Sequence, residues 1–153
     1  MNRNDRPIQI LLVEDNPGDI RLTEEALRES KINHVLYVAN NGQQGLERLR
    51  STADSADSFR PDLIFLDLNM PLMNGHEFLT IIKQDENLKK IPVVVLTTSG
   101  DDDDILETYN LHANCFVTKP VELEQFIKVI LEVYHFWFSI VELPKDHQEL
   151  TAK

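Results

Sequence analysis

Four short apolar runs in this 153-residue chain end on polar residues suited to chemistry rather than to a core. Ile10–Val13 runs into Glu14 and Asp15, Leu63–Leu66 into Asp67, and Val93–Leu96 into Thr97 and Thr98. Phe116–Val117 continues through Thr118 into Lys119 and Pro120. If these runs are strands of one parallel sheet, their carboxyl ends share an edge, and open α/β sheets hold ligands at that edge. Three carboxylates, a hydroxyl and an ammonium would then meet in one pocket. Crowded carboxylates repel one another unless a cation lies among them, and a hard divalent ion such as Mg²⁺ takes oxygen ligands. Acids around such an ion, with a carboxylate, a hydroxyl and an ammonium at hand, suit phosphoryl chemistry.

The elements that must position these residues follow from periodicity and punctuation. Strands are expected at Gln9–Val13, His34–Val38, Leu63–Leu66, Val93–Thr97 and Cys115–Val117. Helices are expected near Gly18–Ser30, Gln43–Arg50, Glu77–Gln84, Asp103–Leu111 and Leu123–Glu142. In the first of these, Ile20, Leu22, Thr23, Ala26 and Leu27 fall within one arc of about 160° at ~100° per residue. Strands alternating with helices imply a parallel sheet covered on both faces. Ser51–Phe59 has no periodicity and is expected to be a surface loop. Asp101–Asp104 has the look of a metal loop, but acids at the start of a helix cap free N–H groups and suit its dipole.

Composition narrows the class. Fifteen basic against 26 acidic residues give a net charge of −11, which argues against binding nucleic acid, whose phosphates demand a basic face. No DNA-binding effector domain is expected after residue 145. The polar start, Met1–Arg6, precedes an apolar run too short for a secretory signal. The most apolar long segment, Phe126–Leu143, carries Lys128, Glu132, His135 and Glu142, so no membrane span is expected. The single Cys115 cannot form an internal disulfide, in keeping with a cytoplasmic protein. The five histidines do not cluster, so no zinc site is expected.

Taken together, these residues resemble the receiver domain of bacterial response regulators, the CheY-like family. The matching stretches are Leu11–Asp15, Asp62–Pro71, Asn74-Gly75, Ile91–Thr97 and Phe116–Pro120, in the family's order and spacing over about residues 7 to 135. The resemblance implies a flavodoxin-like, doubly wound α/β fold with five parallel strands in the order 2-1-3-4-5. A receiver domain is expected over residues 7–143, including an extended C-terminal helix, with a polar tail at 144–153.

The resemblance also implies roles. Asp67 is the expected phosphoryl acceptor, forming an aspartylphosphate with a group carried by a partner's histidine. Asp15, Asp67 and the backbone carbonyl of Asn69 are the expected Mg²⁺ ligands, with Glu14 acting through metal-bound water. Many relatives carry Asp where Glu14 stands, so its longer reach leaves its metal contact open. Lys119 would pair with Asp67 at rest and with a phosphoryl oxygen after transfer, and the Lys119–Pro120 bond is cis in the family. Thr97 is the expected switch hydroxyl and Phe116 the switch ring, held inward by packing because it lacks a tyrosine hydroxyl. Each has a plainer alternative: Asp67 as a strand cap, Lys119 as a solvated lysine, Phe116 as ordinary packing.

The last helix is apolar over more of its circumference than one sheet contact needs. Val129, Val133, Phe136, Ile140, Trp137, Ile130, Tyr134, Ile127, Phe138 and Leu131 fill an arc of about 220°, against the ~100° or somewhat more of a helix lying on a sheet. Either the extension folds back on its own domain, or a second face meets a partner, most simply another copy. For that homodimer face the candidates are Val129, Val133, Phe136, Trp137 and Ile140. A receiver with this aromatic extension is similar to the single-domain regulators paired with phytochrome-type sensor histidine kinases. A receiver serving another kinase, and an interaction module that does not cycle phosphate, are the alternatives. A haloacid-dehalogenase-type hydrolase needs a second acid two residues past its nucleophile, where this chain has Asn69.

Overall fold

The computed structural model describes residues 7–51, 61–68, 70, 72–97, 115–118 and 122–135. The chain alternates β1 (Ile8–Val13), α1 (Pro17–Ser30), β2 (His34–Ala39), α2 (Gly42–Ser51), β3 (Leu63–Leu66) and α3 (Gly75–Gln84). Then come β4 (Val93–Thr97), β5 (Cys115–Thr118) and α4 (Leu123–His135). The five strands form one sheet in the order β2-β1-β3-β4-β5, and every pairing is parallel. This is the expected architecture, and the described strands begin or end within one residue of their expected limits. The helix expected over Asp103–Leu111 and the end of the last helix lie outside the described residues.

A parallel strand buried on both faces needs apolar residues at every position, and β3 and the Ile10–Val13 part of β1 show this. Leu11 and Val13 of β1, with Ile64 and Leu66 of β3 and Val93 and Val95 of β4, face one side. There they pack against Leu46 and Leu49 of α2 and Phe78, Leu79 and Ile82 of α3. Ile8, Ile10 and Leu12 point the other way, as a two-residue period requires, and join Leu63, Phe65, Val94 and Leu96. That second face is covered by Ala26 and Leu27 of α1 and by Phe126, Ile130 and Val133 of α4. β2 at the edge is only half-buried over most of its length. Arg48 lies over the ring of Tyr37 in that strand, 4.5 Å from its centroid.

The helix starts are set by side-chain caps. Asn16 accepts from the Asp19 N–H at 3.0 Å, and Pro17 occupies the first turn, where a missing N–H costs nothing. Asn41, buried, accepts from the Gln44 N–H at 2.9 Å at the start of α2. α3 opens with a reciprocal capping box, in which Asn74 accepts from the Glu77 N–H and Glu77 from the Asn74 N–H. The sequence reading began this helix at Glu77, whereas the box places its first turn at Gly75. At its other end Lys83 donates to the carbonyls of Lys89 and Ile91, both at 3.1 Å, and burial holds its ammonium pKa below the usual lysine value.

The last helix buries the middle of its apolar arc and departs from expectation at one residue, Val133. Phe126, which at ~100° per residue falls inside the apolar arc close to Val133, is completely buried and lies on the same side as Ile130 and Val133. Val133, expected on a face open to a second copy, is buried in the domain's own core. The centre of the wide apolar arc is thus taken by the sheet and α1. Val129 is half-buried at its margin, and Phe136, Trp137 and Ile140 lie outside the described residues. Among the described residues, no helix is long and apolar enough to cross a membrane.

Candidate phosphoacceptor site

The carboxyl ends of β1 and β3 are neighbours because these strands pair directly, with Val13 opposite Leu66. The next residues on each strand are therefore forced together. One carboxylate oxygen from each of Glu14, Asp15 and Asp67 lies within 4.8 Å of the others. Glu14 is fully buried and Asp67 is 8% exposed, while Asp15 is the more open of the three. At that spacing and an effective dielectric of about 20, two charged carboxylates repel by roughly 3 kcal/mol. A set made only of oxygen donors, clustered and largely withdrawn from water, fits a hard divalent cation.

The acceptor candidate is held by its backbone as well as its side chain. The Asp67 N–H donates to the Val13 carbonyl at 3.0 Å, extending the β1–β3 ladder by one rung. Its Oδ1 accepts from the N–H of Leu68 at 3.0 Å, which fixes the rotation of the carboxylate. Glu14 Oε2 lies 3.4 Å from the Asn16 N–H, a long contact that aims the acid across the start of α1.

The segment after Asp67 loops out and returns at the start of α3. The Gly75 N–H donates to the Leu68 carbonyl at 3.0 Å, and the Gly42 N–H to the Met73 carbonyl at 3.1 Å. Gly75 is required by close approach: a Cβ there would sit 2.4 Å from the Asp67 carbonyl oxygen and 2.7 Å from the Leu68 Cα. Met70 and Met73 turn their side chains toward the core beneath α2 and α3. The Asn74-Gly75 pair stands out in the sequence, but neither the reason for the glycine nor the pinning role of Leu68 is visible there. The capping pattern of Asn74 followed three residues later by Glu77 was the available signal for this junction.

The remaining expected site residues are placed less fully. Thr97 is the last residue of β4, at the same carboxyl edge and one strand beyond β3; it pairs in register with Thr118 of β5. Phe116 lies in β5 opposite Val95. Asn69, Lys119 and Pro120 lie outside the described residues, as does the acidic run at 101–104. The structure thus brings together the three expected acids and sets the Thr97 backbone at their edge.

Comparison with known proteins agrees with this geometry. Residues 10–131 match the response regulator receiver domain. Response regulator Rcp1 of Synechocystis sp. is 44% identical over 138 residues, covering 90% of this chain and 94% of the relative. The crystal structure of the phosphorylated cyanobacterial phytochrome response regulator RcpA superposes with a TM-score of 0.82. It is 45% identical over 91% of this chain and 99% of that one. The Mn²⁺-bound form of Rcp1 gives a TM-score of 0.79 at 44% identity, covering 91% of this chain and 100% of that one. With its parallel sheet, its converging acids and a family match over most of its length, the chain belongs to the response regulator receiver domain family.

Proposed function

We propose that this protein accepts a phosphoryl group on Asp67 from a phosphorylated histidine of a sensor kinase, in a reaction dependent on Mg²⁺. The observation that carries this is the meeting of Glu14, Asp15 and Asp67 at the carboxyl ends of β1 and β3. Glu14, Asp15 and Asp67 would hold the ion, joined by the Asn69 carbonyl. Bound there, it neutralises negative charge on the acceptor and on the phosphoryl oxygens. The Asp67 carboxylate oxygen forms a bond to phosphorus as the N–P bond to the partner's imidazole breaks, and that nitrogen leaves with the bonding pair. The Leu68 N–H holds the carboxylate in position, and the buried setting of Asp67 limits access of water to the product. Lys119 serves as the cationic partner of the transferred group, and Thr97 and Phe116 as the switch pair.

The donor is a kinase of the phytochrome type; support comes from solved structures similar to this chain over nearly its whole length, which include phytochrome response regulators. The protein works in the cytoplasm as a signalling protein rather than a metabolic enzyme, through the receiver spanning 7–143. Phosphorylation acts by favouring one of two conformations, which changes the contacts the domain makes. The test is phosphoryl incorporation by intact mass, with acetyl phosphate and with a phosphorylated phytochrome-type kinase, each with Mg²⁺ and with a chelator. Labelling by both donors that the chelator abolishes is the expected result. Labelling by acetyl phosphate alone would remove the phytochrome pairing, and no labelling of folded protein would leave an interaction module.

A second copy binds on the C-terminal helix side, through Val129 with Phe136, Trp137 and Ile140. Support comes from the width of the apolar arc, which exceeds what α4 spends on its own core. Trp137→Glu is expected to shift sedimentation toward the monomer, and an unchanged mass would remove this interface.

A further inference from the structure

Leu72 is at odds with its surroundings in two independent ways. It is 80% exposed, the most open large apolar side chain among the described residues. Its φ of 65° also places it in the left-handed region, which a branched side chain enters with difficulty and which glycine or asparagine enters readily. The described residues on either side of it are tied down. Leu68 and Gly75 close the two ends of the loop, Met73 is bonded to Gly42, and Met70 and Met73 bury apolar surface. Leucine at position 72 therefore benefits neither the backbone nor the core.

Its place in the loop supplies the missing partner. Leu72 stands five residues past Asp67, on the loop that leaves the acceptor and returns against its backbone at Gly75. A small donor such as acetyl phosphate can enter the pocket without covering this loop. A protein that brings a phosphorylated histidine to Asp67 must lay its surface over the ground around the pocket mouth. A left-handed backbone bearing an exposed apolar side chain, three residues before the chain closes on the acceptor's backbone at Gly75, is suited to a docking contact.

We propose that Leu72 is an apolar docking anchor for the protein phosphoryl donor, which presents apolar surface beside its phosphohistidine. This rests on the receiver function proposed above and adds a residue that separates protein donors from small ones. Leu72 touches no reacting atom; it is a positioning residue for the partner.

The test compares Leu72→Gly, Leu72→Asn and Leu72→Met, with acetyl phosphate and with a phosphorylated phytochrome-type kinase as donors. Glycine and asparagine suit the left-handed backbone, so folding is retained or improved in both. Acetyl phosphate labelling is expected to stay within about twofold of wild type in all three. Transfer from the kinase at sub-saturating acceptor is expected to fall by about tenfold in Leu72→Gly and Leu72→Asn, equivalent to ~1.4 kcal/mol. The loss should appear in the concentration dependence rather than the maximal rate, and Leu72→Met should largely retain transfer. Unchanged kinase transfer in the glycine and asparagine variants would overturn the inference. So would an equal loss with both donors, which would assign Leu72 to the loop's own geometry. Absence of wild-type labelling by acetyl phosphate would instead overturn the receiver function, and the anchor with it.

Discussion

Asp67→Asn should abolish phosphoryl incorporation from every donor while leaving the fold intact and, in metal-free buffer, more stable. Asparagine has the shape of aspartate, and its side-chain oxygen can still accept the Leu68 N–H that Oδ1 accepts now. The Asp67 N–H remains bonded to Val13, so the strand end is undisturbed. An amide oxygen is not a competent nucleophile toward phosphorus, so labelling goes to zero rather than slowing. The substitution also removes one of three clustered negative charges, two of them buried. Relief of like-charge repulsion should raise the unfolding free energy by about 1 kcal/mol or more without metal, and the gain should shrink as Mg²⁺ is added. Intact mass reads the first effect and urea unfolding at two Mg²⁺ concentrations the second. One phosphoryl group per chain on the variant would move the acceptor away from Asp67. A lower stability in chelator would mean that the acids are not repelling one another.

Phe126→Ala should cost about 3–5 kcal/mol, the range for emptying an aromatic site in a core. Phe126 is completely buried and belongs to the cluster shared by β1, β3, β4, α1 and α4. It stands in the first turn of α4, where its N–H donates to the Glu122 carbonyl at 3.0 Å. The ring therefore fixes where the helix lands on the sheet. Against a total stability of about 5–15 kcal/mol for a domain, such a loss takes a large share. Lys128→Ala, on the exposed side of the same helix, should change stability by no more than about 0.5 kcal/mol. Urea unfolding of both variants decides the matter. A loss below about 1 kcal/mol for Phe126→Ala would mean that α4 is held by something else.

The helix that carries Phe126 also shows where sequence pattern stops being informative. The strands were legible because Ile10–Val13, Leu63–Leu66 and Val93–Leu96 are continuous apolar runs of strand length. The acids were legible because a charge at the end of such a run has no place in a core. In α4 the apolar arc is too broad for a wheel to say which part meets the sheet. Phe126, Val133 and Ile130 fall close together inside that arc, and the wheel alone gives no reason to assign Val133 to the core rather than to a second copy. The β3–α3 junction was illegible for a different reason. That Gly75 must lack a side chain depends on the Asp67 carbonyl oxygen coming within 2.4 Å of where one would begin, a fact of tertiary packing. Leu72 gave no warning at all, since nothing in a leucine announces a left-handed backbone. Asn41 and Asn16 could have been read as caps, because each stands just before an apolar helical pattern.

The pairing of β1 with β3 has a consequence for how the site comes into being. At the far end of that pair, Gln9 and Asp62 exchange two bonds, the N–H of Gln9 to the Asp62 carboxylate and the N–H of Asp62 to the Gln9 carbonyl. They are 53 residues apart, and the acids at the near end are separated by a similar length of chain. A contact of such high order forms only after the intervening α1, β2 and α2 have been gathered up, since loop-closure entropy must be met first. The meeting of Asp67 with Glu14 and Asp15 thus has no local precursor in the unfolded chain. During synthesis the pocket cannot exist until β3 has emerged and docked beside β1, so capture of the ion and competence for phosphate both wait on a non-local step in folding.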